Sequence, residues 1–535
     1  MSSSVGRHTR SERSSTRIPQ ISAASVCACF AIIAAVSGRS VPCVQSTSVP
    51  SAGVRQEQRP GAPTIAAYED AGAVYCRIEV GPFGDLSISD SKKEHGTLPL
   101  FKFYRHRFPN GTLPRLPEVS VRFAIDLSEA RVVDKDLNQL AHLKNVQMLL
   151  LGRCSVTNTG LVTLRDLDNL VSLDVHDTQI NDQGLKELRR FQKLTYIDLS
   201  GTRITDEGLK QLSDLKSLTA LRLSRTAVTG DGLKSLSSLQ NLAWLAVRVN
   251  DRDAKVLACF PGLARLDLGD SATDQRLRQL PGLAKLVSLG LAHSPVSDLG
   301  LRELGRFSGL VRLDLANTRV TDNGLRELTK LEELEWLDLT SVRVTAAGIQ
   351  QVAKLRNLSH LNLYGTGITD AGMKHLRNMT RLTELYLSGP GVTDAGLAEL
   401  VGMTDIRELG LTSARITDTG LASLEHFTEL SRLDLTGTNV TDAGLSKLTR
   451  LPHLEYLNLY GVPITDIGLR ELATLEHLTE LALNVTDITD AGLMQLAPLK
   501  NLRKLDLRNN RLTASAIEQL ERALPRCVIL RPKTN

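Results

Sequence analysis

Residues 194–212 read LTYIDLSGTRITDEGLKQL, and close copies of this phrase recur from residue 125 to residue 507. We take the first residue of each short Leu-x-Leu core as the marker of a repeat. The markers are Ile125, Leu149, Leu173, Ile197, Leu221, Leu245, Leu266, Leu289, Leu313, Leu337, Leu361, Leu385, Leu409, Leu433, Leu457, Leu481 and Leu505. Fourteen of the sixteen intervals are 24 residues long. Such a period predicts a solenoid, in which one elongated domain forms by stacking of units.

Each copy combines two periodicities. Leu194, Ile197 and Leu199 are spaced as in a short strand with one buried side. The apolar residues that follow have helical spacing: Ile204, Leu209, Leu212. Thr205 and Asp206 stand where this helix would begin, since their side chains accept unpaired N–H groups and Asp is favoured beside the positive end of the helix dipole. The unit is therefore predicted to be a strand, a turn and a short helix.

A single unit cannot fold alone. Ordering 24 backbones costs about 1–2 kcal/mol each, whereas roughly six apolar side chains return only about 1.5–3 kcal/mol apiece. Stacking solves this problem because it pairs the strands in a parallel sheet on the concave side and places the helices on the convex side. A glycine near the helix start recurs in thirteen copies, as in Gly208, Gly324 and Gly444. We expect it to serve close backbone packing or a permissive dihedral angle.

A small polar residue recurs five positions after the marker. It is predicted to turn inward and satisfy backbone groups where the strand bends. The position is held by Thr178, Thr202, Thr226, Ser294, Thr318, Thr366, Thr438 and Thr486, with Asn250 and Asn510 in other copies and Cys154 as a small buried variant.

The Ile-Thr-Asp-x-Gly-Leu-x-x-Leu phrase resembles the ribonuclease-inhibitor-like leucine-rich repeats. It is especially similar to the cysteine-containing repeats of F-box proteins, with Thr mostly in place of Cys, and exported bacterial proteins carry similar arrays. The resemblance implies a right-handed α/β horseshoe that binds protein on its concave sheet. It does not imply ubiquitin-ligase function, because no F-box-like helical segment precedes the repeats.

The N-terminal residues resemble an export signal. Residues 1–38 carry Arg7, Arg10, Arg13 and Arg17 against Glu12, and residues 21–37 are uncharged and largely apolar. Small residues at 36–38 suit a signal peptidase. The apolar stretch is intermediate between a signal core and a membrane span, so an uncut membrane anchor stays open, as does an ordinary buried helix.

The rest of the chain divides accordingly. Residues 39–63 are predicted to be a flexible linker, 64–120 an N-terminal cap, 121–513 the repeat array and 514–535 a C-terminal cap. Within the caps we expect a helix over residues 65–71, the strand Val74–Val80, a final helix over 514–524 and a closing strand over 527–531. Regularity falters between residues 247 and 291, where two intervals shorten to 21 and 23 residues. This interruption could bend the array or divide it.

Aromatic residues concentrate in the columns expected to face the concave side, which lie one residue before, one after and three after each marker. We expect these side chains to be exposed and to anchor a partner, the alternative being that they only cover sheet surface. The candidate partner-binding residues are Trp336, His360, Tyr364, Tyr386, Trp244, Tyr196, Tyr456 and Tyr460. The first four fall on three successive strands and are predicted to form one patch.

Eight aspartates occupy the position after the marker: Asp126, Asp174, Asp198, Asp267, Asp314, Asp338, Asp434 and Asp506. Neighbouring pairs such as Asp174 and Asp198 could hold a cation. The simpler interpretation is a solvated ionic lattice, because basic residues stand two positions before several of them: Arg265, Arg312, Arg432 and Lys504. We therefore predict no metal site, no cofactor and no catalytic residue, and motif spacing indicates none.

The formal net charge of +5 falls to about +2 outside residues 1–38, which contribute +3. That balance argues against nucleic-acid binding, which needs a concentrated basic stripe. The sequence thus predicts a non-enzymatic recognition scaffold for a protein partner, secreted, periplasmic or attached to the cell envelope, with possible N-terminal membrane anchoring. The principal alternative is a cytoplasmic adaptor like the F-box repeat proteins, and a third is a carbohydrate-directed protein.

Overall fold

The structure is a computed structural model that describes residues 59–80, 86–89, 97–103, 106, 108 and 111–532. The predicted signal or anchor at residues 1–38 and nearly all of the predicted linker lie outside the described residues. In the described part of the chain, none of the helices combines the length and apolar character needed to span a membrane.

One sheet runs through the described residues, and it contains 21 strands. The strands are β1 Val74–Val80, β2 Leu86–Ser89, β3 Leu98–Lys102, β4 Phe123–Asp126, β5 Val146–Leu150, β6 Ser172–Asp174, β7 Tyr196–Asp198, β8 Ala220–Arg222, β9 Trp244–Ala246, β10 Arg265–Asp267, β11 Ser288–Gly290, β12 Arg312–Asp314, β13 Trp336–Asp338, β14 His360–Asn362, β15 Glu384–Ser388, β16 Glu408–Thr412, β17 Arg432–Asp434, β18 Tyr456–Asn458, β19 Glu480–Ala482, β20 Lys504–Asp506 and β21 Val528–Leu530. From β3 to β21 each strand pairs in parallel with the next, whereas β1 pairs antiparallel with both β2 and β3.

Short helices connect the strands. The α-helices are α1 Ala62–Asp70, α2 Asp134–Leu137, α3 Asn158–Thr163, α4 Asp182–Leu188, α5 Asp206–Leu209, α6 Gly230–Lys234, α7 Asp274–Gln279, α8 Asp298–Leu301, α9 Asp322–Leu325, α10 Ala346–Val352, α11 Asp370–Leu376, α12 Asp394–Ala398, α13 Asp418–Leu421, α14 Asp442–Leu445, α15 Asp466–Leu472, α16 Asp490–Leu493 and α17 Ala514–Ala523. Shorter 3₁₀ helices cover Lys210–Leu212, Asp253–Cys259, Gly269–Ser271, Leu304–Arg306, Arg326–Lys330, Ala422–His426, Ser446–Arg450 and Met494–Leu496.

The markers stack directly on one another. Leu313 pairs with Leu337, and Leu337 with Leu361, and the same register holds along the array. The marker side chains are all buried in one continuous core between sheet and helices. Full burial of such a side chain contributes about 1.5–3 kcal/mol. The predicted α/β leucine-rich solenoid is confirmed.

The interruption does not divide the array. Leu245, Leu266 and Leu289 pair in register, so the sheet passes through the shortened repeats without a break. The missing Thr-Asp-x-Gly phrase has a local effect only, because Asp253–Cys259 forms a 3₁₀ helix in place of an α-helix.

A ladder of aspartates connects the helix starts of successive repeats. In each rung, the aspartate that opens one helix accepts hydrogen bonds from the backbone N–H and the hydroxyl of the Thr or Ser that precedes the next helix. For Asp394 the two distances to Thr417 are 2.9 Å and 2.6 Å. The threonine in turn caps its own helix, as Thr417 does by accepting from the Thr419 N–H. Ala346 interrupts this ladder and leaves Thr369 without the aspartate acceptor.

The aspartate ladder explains the recurrent glycine. A Cβ built on Gly420 would lie 2.2 Å from Asp394 Oδ1, and one on Gly208 would lie 2.2 Å from Asp182 Oδ1. These glycines have ordinary helical φ angles, so close packing is the correct alternative of the two predicted. Where Ala346 replaces the aspartate, a Cβ on Gly372 meets only Ile368 within 3.5 Å, the nearest atom at 3.0 Å.

The strand bends four to five residues after the marker. In fifteen repeats the fourth residue has a positive φ, and in several of them it is not glycine, as at Asn317 and Val485. The fifth residue then satisfies the backbone as predicted. The Thr318 hydroxyl donates to the Leu315 carbonyl of its own repeat at 2.7 Å, whereas Cys154 Sγ donates to the Leu127 carbonyl of the preceding repeat at 3.1 Å.

Both ends of the core are covered. At the N-terminus α1 begins three residues earlier than predicted, and its Tyr68 is fully buried and stacked on Phe101 with the ring centroids 3.9 Å apart. The strand Val74–Val80 is confirmed. At the C-terminus, Ala514–Ala523 and Val528–Leu530 confirm the predicted helix and closing strand to within two residues.

Candidate interaction surface on the sheet

The sheet face opposite the helices is built from the residues on either side of each marker. Because alternate side chains in a strand point to opposite faces, burial of the markers places their neighbours on this outer face. The in-register pairing then aligns them into columns. One column runs across six strands and contains Arg312, Trp336, His360, Glu384, Glu408, Arg432.

Aromatic and basic side chains in this region stack into a layer. Arg312 lies over the Trp336 ring at 3.7 Å from its centroid. Trp336 stacks on His360 with the centroids 4.8 Å apart and an angle of 15° between the rings, and His360 contacts Tyr386 at 5.5 Å. The predicted juxtaposition of Trp336, His360 and Tyr386 is confirmed. We call the group Arg312, Trp336, His360, Tyr364, Glu384, Tyr386 and Glu408 the central patch.

Two glutamates support the central patch from within. Glu384 is completely buried, and its Oε2 lies 2.5 Å from His360 Nδ1. The Tyr386 hydroxyl donates to Glu408 Oε2 at 2.6 Å and lies 3.4 Å from Glu384 Oε2. Burial raises the pKa of Glu384 to about 8. Neither glutamate was predicted from the sequence, although their position in the same column as Trp336 was a usable signal.

Exposure differs among the predicted partner-binding residues, and three expectations were wrong. Tyr196 and Trp244 are buried, because they pack towards each other across Ala220 with the ring centroids 6.1 Å apart. Arg265 also covers Trp244 at 3.9 Å, and the indole N–H donates to Asp267. His360 is likewise buried, enclosed by the central patch.

The remaining aromatic candidates are accessible. Tyr364 and Tyr460 are 42% and 45% exposed and follow the strand ends. Their backbone N–H groups are held by Asn362 Oδ1 and Asn458 Oδ1. Trp336, Tyr386 and Tyr456 are half-buried.

A second feature of this face is a shallow depression of about 450 Å³ towards the C-terminus. Its lining includes Tyr456 and Tyr460 together with the ion pair between Lys504 and Glu480, whose atoms are 3.1 Å apart. Two of the predicted aromatic residues therefore lie apart from the central patch and border a separate concavity.

The aspartates that follow the markers have a structural role and do not form the predicted solvated ionic lattice. Asp314 Oδ1 accepts the Ala316 N–H at 3.0 Å, and Asp338 accepts the Thr340 N–H at 2.7 Å, so these carboxylates hold the backbone where each strand ends. Burial, followed by the charge of Asp338, raises the pKa of Asp314 to about 6.

The ion pairs predicted between residues two apart have different outcomes at Arg265, Arg432 and Lys504. Arg265 contacts Asp267 at 3.1 Å as predicted. Arg432 and Lys504 instead reach across to glutamates on the preceding strand, Glu408 and Glu480. The neighbouring strand offers a carboxylate in the same column, and the side chains take that partner.

Three family models match the sequence. The model described as "Leucine-rich repeat region" matches residues 278–473. "Leucine Rich repeat" matches residues 192–213, 214–237 and 474–497, and "Leucine Rich Repeat" matches residues 501–522. Among curated proteins, none matches this sequence.

Several solved structures are similar to the chain. A leucine-rich repeat protein of Leptospira interrogans is 22% identical, with 77% of this chain and 95% of that chain covered and a TM-score of 0.38. An internalin from Listeria monocytogenes is 22% identical, with 65% and 83% covered and a TM-score of 0.34. The TLR13–ssRNA13 complex is 18% identical, with 78% and 72% covered and a TM-score of 0.47.

Proposed function

We propose that this leucine-rich repeat protein is a non-enzymatic recognition scaffold that binds a protein partner on the outer face of its sheet, with the central patch as the main contact. The observation that carries the proposal is the layer from Arg312 through Trp336 and His360 to Tyr386, flanked by the exposed Tyr364. Large aromatic side chains and arginine are the residue types that dominate binding energy in protein interfaces.

The central patch is well suited to this role because it is preorganised. His360 is fixed by Glu384, and the Tyr386 hydroxyl is fixed by Glu408. Side chains held in this way lose little conformational entropy when a partner binds, and that loss is a main cost of association. Tyr364 and the half-buried Trp336 offer the apolar area, and the charged groups around them offer polar contacts.

Two finer features belong to the same proposal. The repeats are of the ribonuclease-inhibitor-like subclass, which the Thr-Asp-x-Gly phrase and the small polar residue at the bend support. The protein is exported or tethered to a membrane, which the arginine-rich and apolar composition of residues 1–38 supports. Sequencing the mature N-terminus from fractionated cells tests the second feature. An intact Met1 in the soluble cytoplasm would favour the F-box-like adaptor instead.

The binding proposal is tested by affinity capture with the full chain and then with W336A/Y364A. A matched control replaces two exposed apolar side chains on the helices, in L299A/I467A; Leu299 is 51% and Ile467 66% exposed. We expect the first double variant to lose a partner that the wild type and the control both retain. Equal capture by all three folded proteins would refute the assignment of the central patch.

A further inference from the structure

A separate cluster of polar side chains lies on β6 and β7, several strands away from the central patch. Asp174, His176 and Asp198 are all buried, and each offers one ligand atom such that these atoms lie within 4.8 Å of one another. His176 Nδ1 is 2.7 Å from Asp174 Oδ1. From the sequence, Asp174 and Asp198 were expected to be neighbours, but the imidazole was not expected to join them.

Two serine hydroxyls next to this cluster have no hydrogen-bond partner among the described residues. Ser172 precedes Asp174 on the same face of β6, and Ser200 follows Asp198 on the same face of the β7 chain. Their residues are 0% and 4% exposed, and both Oγ atoms are sealed from solvent. Burying a hydroxyl without a partner is costly, so two such groups beside one cluster indicate that a ligand completes their hydrogen bonding.

The charged groups around the cluster favour binding of a cation. Arg222 on β8 contacts Asp198 Oδ2 at 2.8 Å, and the Tyr196 hydroxyl lies 3.3 Å from the same atom. On the opposite side β5 presents Met148 and Leu150, which carry no charge. Two carboxylates therefore face one guanidinium, and Asp126 and Asp177 add further negative charge near His176.

The sheet also makes space for the imidazole. A Cβ built on Gly152, on the preceding repeat, would lie 2.0 Å from the His176 ring. Gly152 has an ordinary φ angle, so its lack of a side chain serves the ring and not the backbone. Any larger residue at position 152 would push the imidazole away from Asp174.

We propose that Asp174, His176 and Asp198 form a binding site for one divalent transition metal ion of the zinc class, with the Ser172 and Ser200 hydroxyls completing its surroundings. Carboxylate oxygens alone suit magnesium or calcium, but an imidazole nitrogen among the ligands selects zinc and its neighbours in the first transition row. The ion links adjacent repeats, and its binding stabilises the folded state.

The test uses the full chain, stripped with a chelator and titrated with zinc chloride by calorimetry. We expect one zinc ion to bind per chain. We also expect zinc to raise the unfolding temperature. H176Q and G152A should bind zinc at least about 10-fold more weakly, as loss or displacement of a ligand requires.

D314N is the matched control. Asp314 and Asp338 are also adjacent carboxylates on neighbouring strands of this face, but Ala316 stands where His176 stands in the cluster. D314N should therefore bind zinc like the wild type. Circular dichroism of every variant confirms folding before titration. The proposal is overturned if the folded wild type binds no zinc, or if folded H176Q and G152A bind it as tightly as the wild type.

Discussion

Substituting Gly420 by alanine tests whether the aspartate ladder accounts for the recurrent glycine. The new Cβ would lie 2.2 Å from Asp394 Oδ1 and 2.8 Å from Asp394 Cγ, distances that require something to move. Asp394 cannot rotate away freely, because its two oxygens accept from the Thr417 N–H and hydroxyl. Either those hydrogen bonds break or the two repeats move apart.

The magnitude follows from opposing effects. Forcing an extra methyl group into a packed site costs about 1–3 kcal/mol, whereas alanine gains up to about 1 kcal/mol over glycine within a helix. We therefore expect G420A to lower the free energy of unfolding by about 1–2 kcal/mol. The same change at Gly372 meets no aspartate, only Ile368 at 3.0 Å. G372A should stay within about 0.5 kcal/mol of the wild type, since a slight displacement of Ile368 offsets the helical gain.

A double-mutant cycle isolates the contact. D394A removes the obstructing carboxylate along with both hydrogen bonds to Thr417, so it is destabilising by itself. In that background the added methyl group has space, and G420A should cost about 1–2 kcal/mol less than it does in the wild type.

The assay is urea denaturation followed by circular dichroism, together with hydrogen exchange at the Thr417 amide. Contacts in a solenoid are between neighbouring repeats, so exchange at this amide reports the affected interface. G420A should accelerate exchange at Thr417, and G372A should leave it unchanged. Equal effects of G420A and G372A, or an effect of G420A that persists undiminished in D394A, would refute the packing argument.

A346D restores the missing rung by offering an acceptor to Thr369, and it should raise the free energy of unfolding by about 1–2 kcal/mol in urea; no gain would show that the rungs contribute little. V485N replaces a β-branched residue at a φ of +57° by the residue type found at Asn317 and Asn509. It should stabilise the fold by about 1 kcal/mol in thermal unfolding, and a destabilised variant would contradict the assigned backbone strain. Burial raises the pKa of Glu384 from 4.5 to about 8. Between pH 4.5 and about pH 8 the folded state keeps the Glu384 proton, whereas the unfolded state has released it. The free energy of unfolding is therefore highest below pH 4.5 and declines as the pH rises through about 8. E384Q should reduce this decline, measured as urea midpoints at about pH 5 and pH 8, and an identical decline would exclude Glu384 as its source.

The sequence by itself determined the repeating architecture. The markers do the same task in every unit, and the helix-start threonines and the polar residue at the bend do so in most units, so their roles are visible from one repeat and multiply along the chain. The terminal helices and strands could be predicted for a related reason, since an array of this kind needs its end leucines covered. These are local or periodic properties, and periodicity is what a sequence displays directly.

The outer face of the sheet was decided by tertiary structure. Whether an aromatic side chain on this face is exposed or buried depends on its neighbours about 24 residues away in the chain. The identity of these neighbours varies from repeat to repeat. Trp244 is buried because Ala220 leaves space beside it and Arg265 lies over it, whereas Tyr364 is exposed. The meeting of His176 with Asp174 depends in the same way on the space left by Gly152. Repetition fixes which positions align, but the shape and charge of the particular side chains decide what they form.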